Sequence, residues 1–456
     1  MKIVSGLLSI TALTAALLSP ARAHASAATP FAPPQGDIVV FRNATLFDGT
    51  GTSARPGIDV VINGDRIQRI VPDADLGPDL LHTARIIDLR GRFLMPGLID
   101  AHVHLATPPN RRQAEAILRR DIYGGVTTVR DMADDLRAVG ELTRASLVGE
   151  IAAPDIYYAA LMAGPPFFVD KRTWAVSAGG RPGSVPWMQA VTDNTDLSLA
   201  VAEARGTYAT AIKLYADLSG DLAAKITAEA HRQGIKVWAH ATLFPAKPSE
   251  MVAAGVDAIS HACLLVRETP EALPDFHHLP PVNVDAFRGG NNLALARLFT
   301  DMARRGTIFD PTVWLFRLYE KKPSVSMGRC DDTVAGAITR QAYQAGVAID
   351  AGTDDIADWT DPWPTLFQEL AALSQKAGMP NGAVLQSATL IGARAAGQER
   401  DTGSIEVGKL ANLVVLARDP LADLNNLKSV VMTIKRGRMF DRSAYVPLTK
   451  DDITDL

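Results

Sequence analysis

The feature that most restricts the fold of this chain is a repeated alternation of short apolar segments with longer helical stretches. Several apolar segments follow a glycine, as in Gly125-Val-Thr-Thr and Gly346-Val-Ala-Ile. Such alternation is typical of a parallel α/β architecture, and eight units predict a (β/α)8 TIM-like barrel. An open doubly wound sheet alternates in the same way, so the pattern favours the barrel without excluding that alternative. The eight predicted strands are 98–104, 126–130, 155–160, 211–215, 236–241, 258–262, 307–311 and 347–351.

Both ends of the chain have a different pattern, made of short β strands and turns. Near one end the candidate strands are 37–41, 57–62 and 85–88, and Asn63-Gly64 has the composition of a hairpin turn. Near the other end they are 410–416 and 429–434. Because neither piece is long enough to bury a core alone, we predict one small β-sandwich formed by both termini. The predicted sandwich comprises 26–92 and 403–456, and the predicted barrel comprises 93–402.

The first 25 residues predict a secretory signal peptide. Lys2 gives a positive start, 3–18 are almost wholly apolar, and Ala21-Arg-Ala23 and Ala23-His-Ala25 offer small-residue cleavage sites. The alternative is an N-terminal membrane anchor, which the short apolar run makes less favourable. We therefore expect a secreted or periplasmic protein that has no membrane attachment after cleavage.

Charge and cysteine content restrict the partners. The net charge of −4 and the mixed distribution of charge provide no basic stripe for nucleic acid. The two cysteines, Cys263 and Cys330, could pair in an oxidising compartment, but the sequence leaves this open. Cys263 follows His261 by two residues and is expected to lie on the same strand face as a buried thiol.

Histidines, a lysine and an aspartate mark the ends of the predicted strands. His102 and His104 are separated by one residue on a strand, so both side chains lie on one face and can reach one metal ion. The remaining candidates lie within or just after strands four, five, six and eight: Lys213, His240, His261 and Asp354. Arg130 and Asp131, at the end of strand two, are interpreted as a structural ion pair at the barrel rim.

A family resemblance that runs from about Asp37 to Asp441 rests on four stretches. They are Pro96-Gly-Leu-Ile-Asp-Ala-His-Val-His104, Gly125-Val-Thr-Thr-Val-Arg-Asp131, Ala388-Thr-Leu-Ile-Gly-Ala-Arg394 and Gly403-Ser-Ile-Glu-Val-Gly-Lys-Leu-Ala-Asn-Leu-Val-Val-Leu416. With these motifs the chain resembles the metal-dependent amidohydrolase superfamily, in particular the group related to Xaa-Pro dipeptidases and imidazolonepropionases.

The resemblance implies a role for each candidate residue. His102, His104 and Asp354 would hold the more buried metal ion, His240 and His261 the more exposed one, and Lys213 would bridge both as a carbamate. An unmodified lysine ammonium has no lone pair and cannot be a ligand. Two divalent ions, with zinc the default and manganese or cobalt also fitting, would share an attacking hydroxide. Asp354 would be the general base, and Tyr215 would stabilise the oxyanion.

Each of these roles has an alternative. Lys213 could be an ordinary barrel lysine, which would leave a mononuclear site, and Asp354 could be a helix N-cap, although Asp355 could serve equally. Tyr215 could be a core aromatic residue. The corresponding function classes are a mononuclear hydrolase of cyclic amides or amidines, similar to imidazolonepropionase, and a metal-stabilised binding protein without turnover.

The chain departs from the resemblance after strand three. Many dipeptidase-like relatives have a Gly-Gly-His segment there, whereas residues 160–170 contain no histidine. Gly164-Pro-Pro-Phe-Phe168, with Trp174 and Trp187 nearby, predicts an apolar pocket. We therefore expect an amide C–N bond in a small molecule, a dipeptide or an N-acyl amino acid with a bulky apolar group; a homo-oligomer is left open. Two long loops are predicted at 164–186 and 267–292, and the second contains His277-His278, interpreted as solvated.

Overall fold

The structure is a computed structural model that describes residues 38–50, 53–274, 280–319, 328–354 and 360–453. The predicted signal peptide, the His277-His278 pair and Asp355 lie outside these residues. In the part of the chain that is described, no helix combines the length and hydropathy needed to cross a bilayer. The strands are β1 (Ile38–Leu46), β2 (Arg55–Asn63), β3 (Arg66–Pro72), β4 (Arg85–Asp88), β5 (Phe93–Pro96), β6 (Leu98–Val103), β7 (Val126–Asp131), β8 (Asp155–Ala163), β9 (Ser184–Val185), β10 (Met188–Ala190), β11 (Ala211–Leu214), β12 (Lys236–His240), β13 (Ala258–Ser260), β14 (Ile308–Asp310), β15 (Leu413–Leu416), β16 (Val430–Lys435) and β17 (Arg438–Asp441).

Strands from both termini form one sheet beside the barrel, which confirms a small β domain built from the two ends. Its order is β17-β16-β15-β5-β1-β2-β3, with β4 also paired to β1. The first four residues of β1, Ile38 to Phe41, are all apolar because successive side chains point to opposite faces of the sheet and both faces are covered. Phe41 packs toward the C-terminal strands, against residues such as Leu413, whereas Val40 packs on the other face against Val61 and Leu76. The hairpin between β2 and β3 turns at Gly64, as predicted.

The barrel is parallel, with neighbours in the order β6-β7-β8-β11-β12-β13-β14. Seven of the eight predicted strands are therefore present. The eighth segment, 347–351, is not a regular strand, but its backbone joins the two ends of the row. Phe309 N donates to Ala348 O at 2.9 Å, and Ala101 N donates to Ala351 O at 2.8 Å. These hydrogen bonds close the ring between β14 and β6, and the predicted barrel is confirmed.

The predicted loop at 164–186 is wrong, because this stretch is folded. Its first part is a 3-10 helix at Pro165–Val169, followed by the short helix α4 (Lys171–Val176) and by β9. β8 extends beyond β7, and its last residues pair with β10 through Leu161↔Met188. This extension supports a lid, here defined as residues 164–190, over the carboxyl ends of the strands.

Helices cover the outside of the barrel, and many begin at a residue whose side chain caps the first turn. Asp135, Asp196, Ser219 and Asn292 each accept a hydrogen bond from a backbone N–H of the helix that follows. The helices are α1 (Pro78–Thr83), α2 (Arg111–Tyr123), α3 (Leu136–Val148), α4 (Lys171–Val176), α5 (Leu197–Gly206), α6 (Gly220–Arg232), α7 (Pro248–Ala253), α8 (Leu293–Arg305), α9 (Asp332–Gln344), α10 (Leu366–Gln375), α11 (Asn381–Gln386), α12 (Gly392–Ala395) and α13 (Lys450–Ile453).

The two cysteines form a disulfide, which the sequence had left open. Cys263 lies in a 3-10 helix at Ala262–Arg267 directly after His261, and Cys330 lies just before α9. Cys263 is buried as expected, but it is not a thiol and it lies beyond the end of β13. The disulfide therefore joins a candidate site segment to an outer helix.

Candidate metal centre

The predicted site residues meet at one mouth of the barrel, because the carboxyl ends of parallel barrel strands share one face. The position of each side chain is determined by its strand: His102 lies on β6, Lys213 on β11 and His240 at the end of β12, while His261 comes after β13. They line a single cavity of about 480 Å³. The complete predicted set lines this cavity: His102, His104, Lys213, Tyr215, His240, His261 and Asp354.

Three of these residues form the closest group. The ligand atoms of His102, His261 and Asp354 lie within 4.8 Å of one another. The Asp354 Oδ1 is 3.2 Å from His102 Nε2 and also 3.3 Å from His104 Nε2, while Oδ2 is 3.7 Å from His261 Nδ1. Imidazole nitrogens that converge on one carboxylate are the donor set that a divalent cation such as zinc prefers.

The other predicted residues, His240, Tyr215 and Lys213, lie next to this group in the same cavity. The rings of His240 and His261 are 4.8 Å apart, and the ring of Tyr215 lies 4.0 Å from that of His240. Lys213 is 1% exposed, and its Nζ donates to Ser260 Oγ at 3.2 Å. The structure thus places the predicted lysine at the floor of the same cavity.

Two carboxylates that sequence reasoning missed orient the first two histidines. The His102 Nδ1 is 2.6 Å from Asp310 Oδ2, and the His104 Nδ1 is 2.7 Å from Asp134 Oδ1. With Nδ1 engaged as a donor to a carboxylate, Nε2 would present its lone pair to a metal ion held beside Asp354. The available signals were weak: Asp310 ends a predicted strand, and Asp134 belongs to an acidic run after another.

The prediction for Arg130 is wrong. Its side chain is fully buried inside the barrel, where Nη2 lies 3.5 Å from Asp310 Oδ2 and 3.3 Å from Asp350 Oδ2. The carboxylate of Asp131 instead accepts the backbone N–H of Leu105 at 3.0 Å. Arg130 thereby balances the charge of the aspartate that holds His102.

Burial sets the protonation of the cavity. It lowers the pKa of His261 to about 3 and that of His240 well below its usual value, so both imidazoles keep free lone pairs. Burial alone would raise the pKa of Asp354, but neighbouring His102 holds it well below the usual range. Burial also lowers the pKa of Lys213 to about 7. His240 and His261 therefore offer neutral nitrogens beside the Asp354 carboxylate, whereas at His104 burial is outweighed by Asp134, which raises the pKa of that histidine well above its usual value, so that a metal ion would displace its proton. This combination of imidazoles and a carboxylate fits a divalent metal ion.

Backbone geometry adds a second sign of a functional site. His261 and Asp354 have φ angles of +77° and +55°, in a region that residues with a side chain rarely adopt. Such conformations persist where surrounding structure holds them, and they are concentrated at active sites.

Apolar side chains form the remaining walls of the cavity. Phe167 contributes from the lid, as predicted, whereas Trp174 is 62% exposed and Trp187 donates its indole N–H to Val176 O instead of facing the cavity. The other apolar wall residues are Met132, Ala133, Leu161, Val176, Met188, Phe244, Leu264, Leu315 and Phe316. The predicted apolar pocket is thus built from residues other than the two tryptophans.

Comparison with known proteins places this fold and site in a family. Residues 93–440 match the model of the amidohydrolase family, so the chain belongs to that family. Imidazolonepropionase from Symbiobacterium thermophilum is 24% identical over 422 residues, covering 87% of this chain and 91% of that protein. Adenine deaminase from Rubrobacter xylanophilus is 36% identical over 76 residues, which are 16% of this chain and only 12% of that protein.

Solved structures agree on the fold. A Xaa-Pro dipeptidase with bound methionine superposes with a TM-score of 0.69 at 22% identity, over 89% of this chain and 100% of that one. The ochratoxinase of A. niger has a TM-score of 0.69 at 19% identity, over 89% of this chain and 96% of the other. The architecture of a barrel with a small β domain is shared with both.

Proposed function

We propose that this protein is a secreted or periplasmic, binuclear metal-dependent amidohydrolase that cleaves an amide C–N bond. Membership of the amidohydrolase family supports the reaction class. The observation that carries the proposal is the convergence of His102, His104, Lys213, His240, His261 and Asp354 on one cavity. The proposed location rests on the signal sequence alone.

In this proposal His102, His104 and Asp354 hold one ion, and His240 and His261 hold the other. Lys213 would bridge them as a carbamate, and its surroundings favour this reaction because burial lowers its pKa to about 7. Only the neutral amine can add to carbon dioxide, forming a C–N bond and releasing a proton. Two ions, for which zinc suits the donors, would lower the pKa of a water molecule and polarise the substrate carbonyl.

The residues of the chain itself then move protons and hold the substrate. Asp354 accepts the proton of the water that adds to the carbonyl carbon, and returns it to the amine when the C–N bond breaks. The Tyr215 hydroxyl accepts a hydrogen bond from Arg172 Nη2 at 3.3 Å, which leaves its own O–H free to donate to the carbonyl oxygen. Asp310 and Asp134 keep His102 and His104 in the tautomer that presents Nε2.

The cavity walls define the proposed substrate class. Its volume of about 480 Å³ and its phenylalanine, leucine and methionine side chains suit a small molecule with a bulky apolar group beside the scissile amide. A dipeptide or an N-acyl amino acid has this form. We expect faster turnover of aromatic and long-chain amides than of small polar dipeptides.

The decisive experiment measures metal ions per chain after purification with zinc and bicarbonate, for the parent and for Lys213→Ala. We expect about two ions in the parent and a clear loss in the variant. Lys225→Ala, which removes an exposed lysine paired with Asp193, is the matched control and should retain the parental content. One ion in both the parent and Lys213→Ala would exclude the bridge and favour a mononuclear hydrolase of cyclic amides.

A turnover screen distinguishes an enzyme from a binding protein. Fully metal-loaded protein is assayed against a panel of dipeptides, N-acyl amino acids, anilides and cyclic amides. Hydrolysis that disappears in Asp354→Asn supports the assigned base. A complete absence of turnover over the panel, with the metal bound, would leave only a metal-stabilised binding protein.

A further inference from the structure

One cationic side chain lies in the cavity wall outside the proposed ligand set. Arg172, near the start of α4 in the lid, lines the cavity, and its side chain is 62% exposed. Its Nη2 donates to Tyr215 Oη at 3.3 Å. Because the Tyr215 ring is 4.0 Å from that of His240, the guanidinium lies on the His240 side of the metal centre.

The guanidinium is held in place by its neighbour in the lid. Asp170 accepts from Arg172 Nε at 3.1 Å and from Nη2 at 2.8 Å, and it also accepts the backbone N–H of Arg172 at 2.9 Å. Asp170 therefore occupies the edge of the guanidinium formed by Nε and Nη2. Among the described residues, Nη1 donates to no protein atom, so its two N–H groups remain as donors on a side chain that lines the cavity.

The cationic side chains of the cavity wall indicate which substrate group Arg172 could bind. Of the described residues that line it, the lysine and arginine side chains are Lys213 and Arg172, and Lys213 belongs to the proposed metal ligands. A planar guanidinium with free donors recognises a carboxylate better than any neutral group. An anionic substituent of the substrate would therefore be directed to Arg172.

We propose that Arg172 binds the free carboxylate of the substrate and so determines specificity for N-acyl amino acids and dipeptides. This inference rests on the proposed function and narrows its substrate class to acids. With the scissile carbonyl at Tyr215 and the carboxylate at Arg172, the apolar part of the wall, which includes Phe244, Leu264 and Phe316, is left for the acyl group. Esters and amides of the same acids would be poor substrates.

The test uses two ligands that cannot be hydrolysed. One is the ketomethylene analogue of N-hexanoyl-L-phenylalanine, in which CH₂ replaces the amide NH; the other is the same compound with a carboxamide in place of the carboxylate. Their affinities for zinc-loaded protein are measured by calorimetry in the parent, in Arg172→Met and in Arg172→Lys. Lys171→Met is the matched control, because it removes an exposed charge from the same helix outside the cavity wall.

We expect the acid to bind the parent about tenfold more tightly than the carboxamide, and Arg172→Met to abolish this preference. The preference is the ratio of the two affinities within one variant, so any loss of the Arg172–Tyr215 hydrogen bond, which weakens both ligands alike, does not affect it. Arg172→Lys should retain part of the preference. Lys171→Met should retain all of it. Equal binding of the two ligands by the parent, an unchanged preference in Arg172→Met, or no binding of either ligand would overturn the proposal.

The same measurements separate this proposal from the proposed function. Binding of the acid that depends on Arg172, in a protein that hydrolyses no amide, would refute the activity and leave the carboxylate site. Hydrolysis of N-hexanoyl-L-phenylalanine and its carboxamide with the same kcat/KM would support the activity and refute the role of Arg172.

Discussion

Removal of the Cys263–Cys330 disulfide should destabilise the barrel by an amount that follows from the chain it encloses. The bond joins residues 67 positions apart, and both cysteines are buried. One end is two residues after His261, and the other is two residues before the start of α9. The disulfide thus restricts the unfolded chain and also fixes the segment that follows a proposed metal ligand.

The expected magnitude comes from loop-closure entropy. For a closed loop of 67 residues the chain-entropy model gives about 4 kcal/mol at 25 °C. Alanine is the suitable replacement, because serine would bury a hydroxyl group. The double variant Cys263→Ala/Cys330→Ala should therefore lose about 4 kcal/mol of the free energy of unfolding. With a urea m-value of about 4 kcal/mol/M, suited to a chain of this size, the midpoint moves down by about 1 M.

Urea unfolding followed by far-UV circular dichroism measures this shift. Each single variant opens the same loop, so the free energy of unfolding of both should match that of the double variant within about 1 kcal/mol. Wild type kept reduced should lose the same free energy of unfolding. A midpoint within about 0.2 M of wild type in all three variants would show that the closed loop contributes little to stability. Metal content, measured in parallel, reports whether His261 also loses its position.

Three further predictions concern the metal centre. Asp310→Asn and Asp134→Asn should each weaken zinc binding by about 10- to 100-fold, because the amide oxygen still accepts from the histidine but no longer supplies the negative charge that strengthens it as a ligand. Competition with a chelator measures this, and unchanged affinity would contradict it. Gly352→Ala should abolish zinc binding even if the barrel folds. The new Cβ would lie 2.4 Å from His102 Cβ and 2.6 Å from Asp310 Oδ1, so the histidine and the aspartate that orients it would have to move. The rate at which zinc and bicarbonate activate metal-free protein, at constant dissolved carbon dioxide, should rise with pH to a plateau above about 8. The reason is that the Lys213 pKa is lowered to about 7 and only the neutral amine reacts with carbon dioxide. A rate independent of pH, or activation of Lys213→Ala, would refute this prediction.

Local pattern was sufficient for the strands and for the residues at their ends. A strand buried on both faces consists mostly of apolar residues, so segments such as 155–160 and 236–241 are recognisable without any tertiary information. The position of His240 follows from the same pattern, because a polar residue at the end of such a strand lies at the mouth of a barrel. That is why the predicted residues line one cavity.

Features that depend on packing between distant segments could not be predicted from the local sequence pattern. The segment 347–351 looks like a strand in sequence, yet only part of its backbone pairs with β14 and β6. The proline and glycine content of the lid indicates turns and so predicts a loop, whereas pairing of β10 with the end of β8 orders this segment. The pairing of Cys263 with Cys330 likewise depends on how α9 packs against the barrel.

The carboxylates behind the histidines show most clearly where sequence reasoning ends. His102 and Asp310 are 208 residues apart, and they meet because closure of the barrel brings β14 close to β6. Nothing in the pattern around Asp310 separates it from other aspartates at strand ends, such as Asp131, which holds a backbone N–H instead. The choice depends on register: Asp310 faces inward beside Arg130, whose charge offsets the cost of burying a second anion next to the metal ligands. A ligand set can therefore be predicted from strand ends, whereas the groups that orient it require the closed ring.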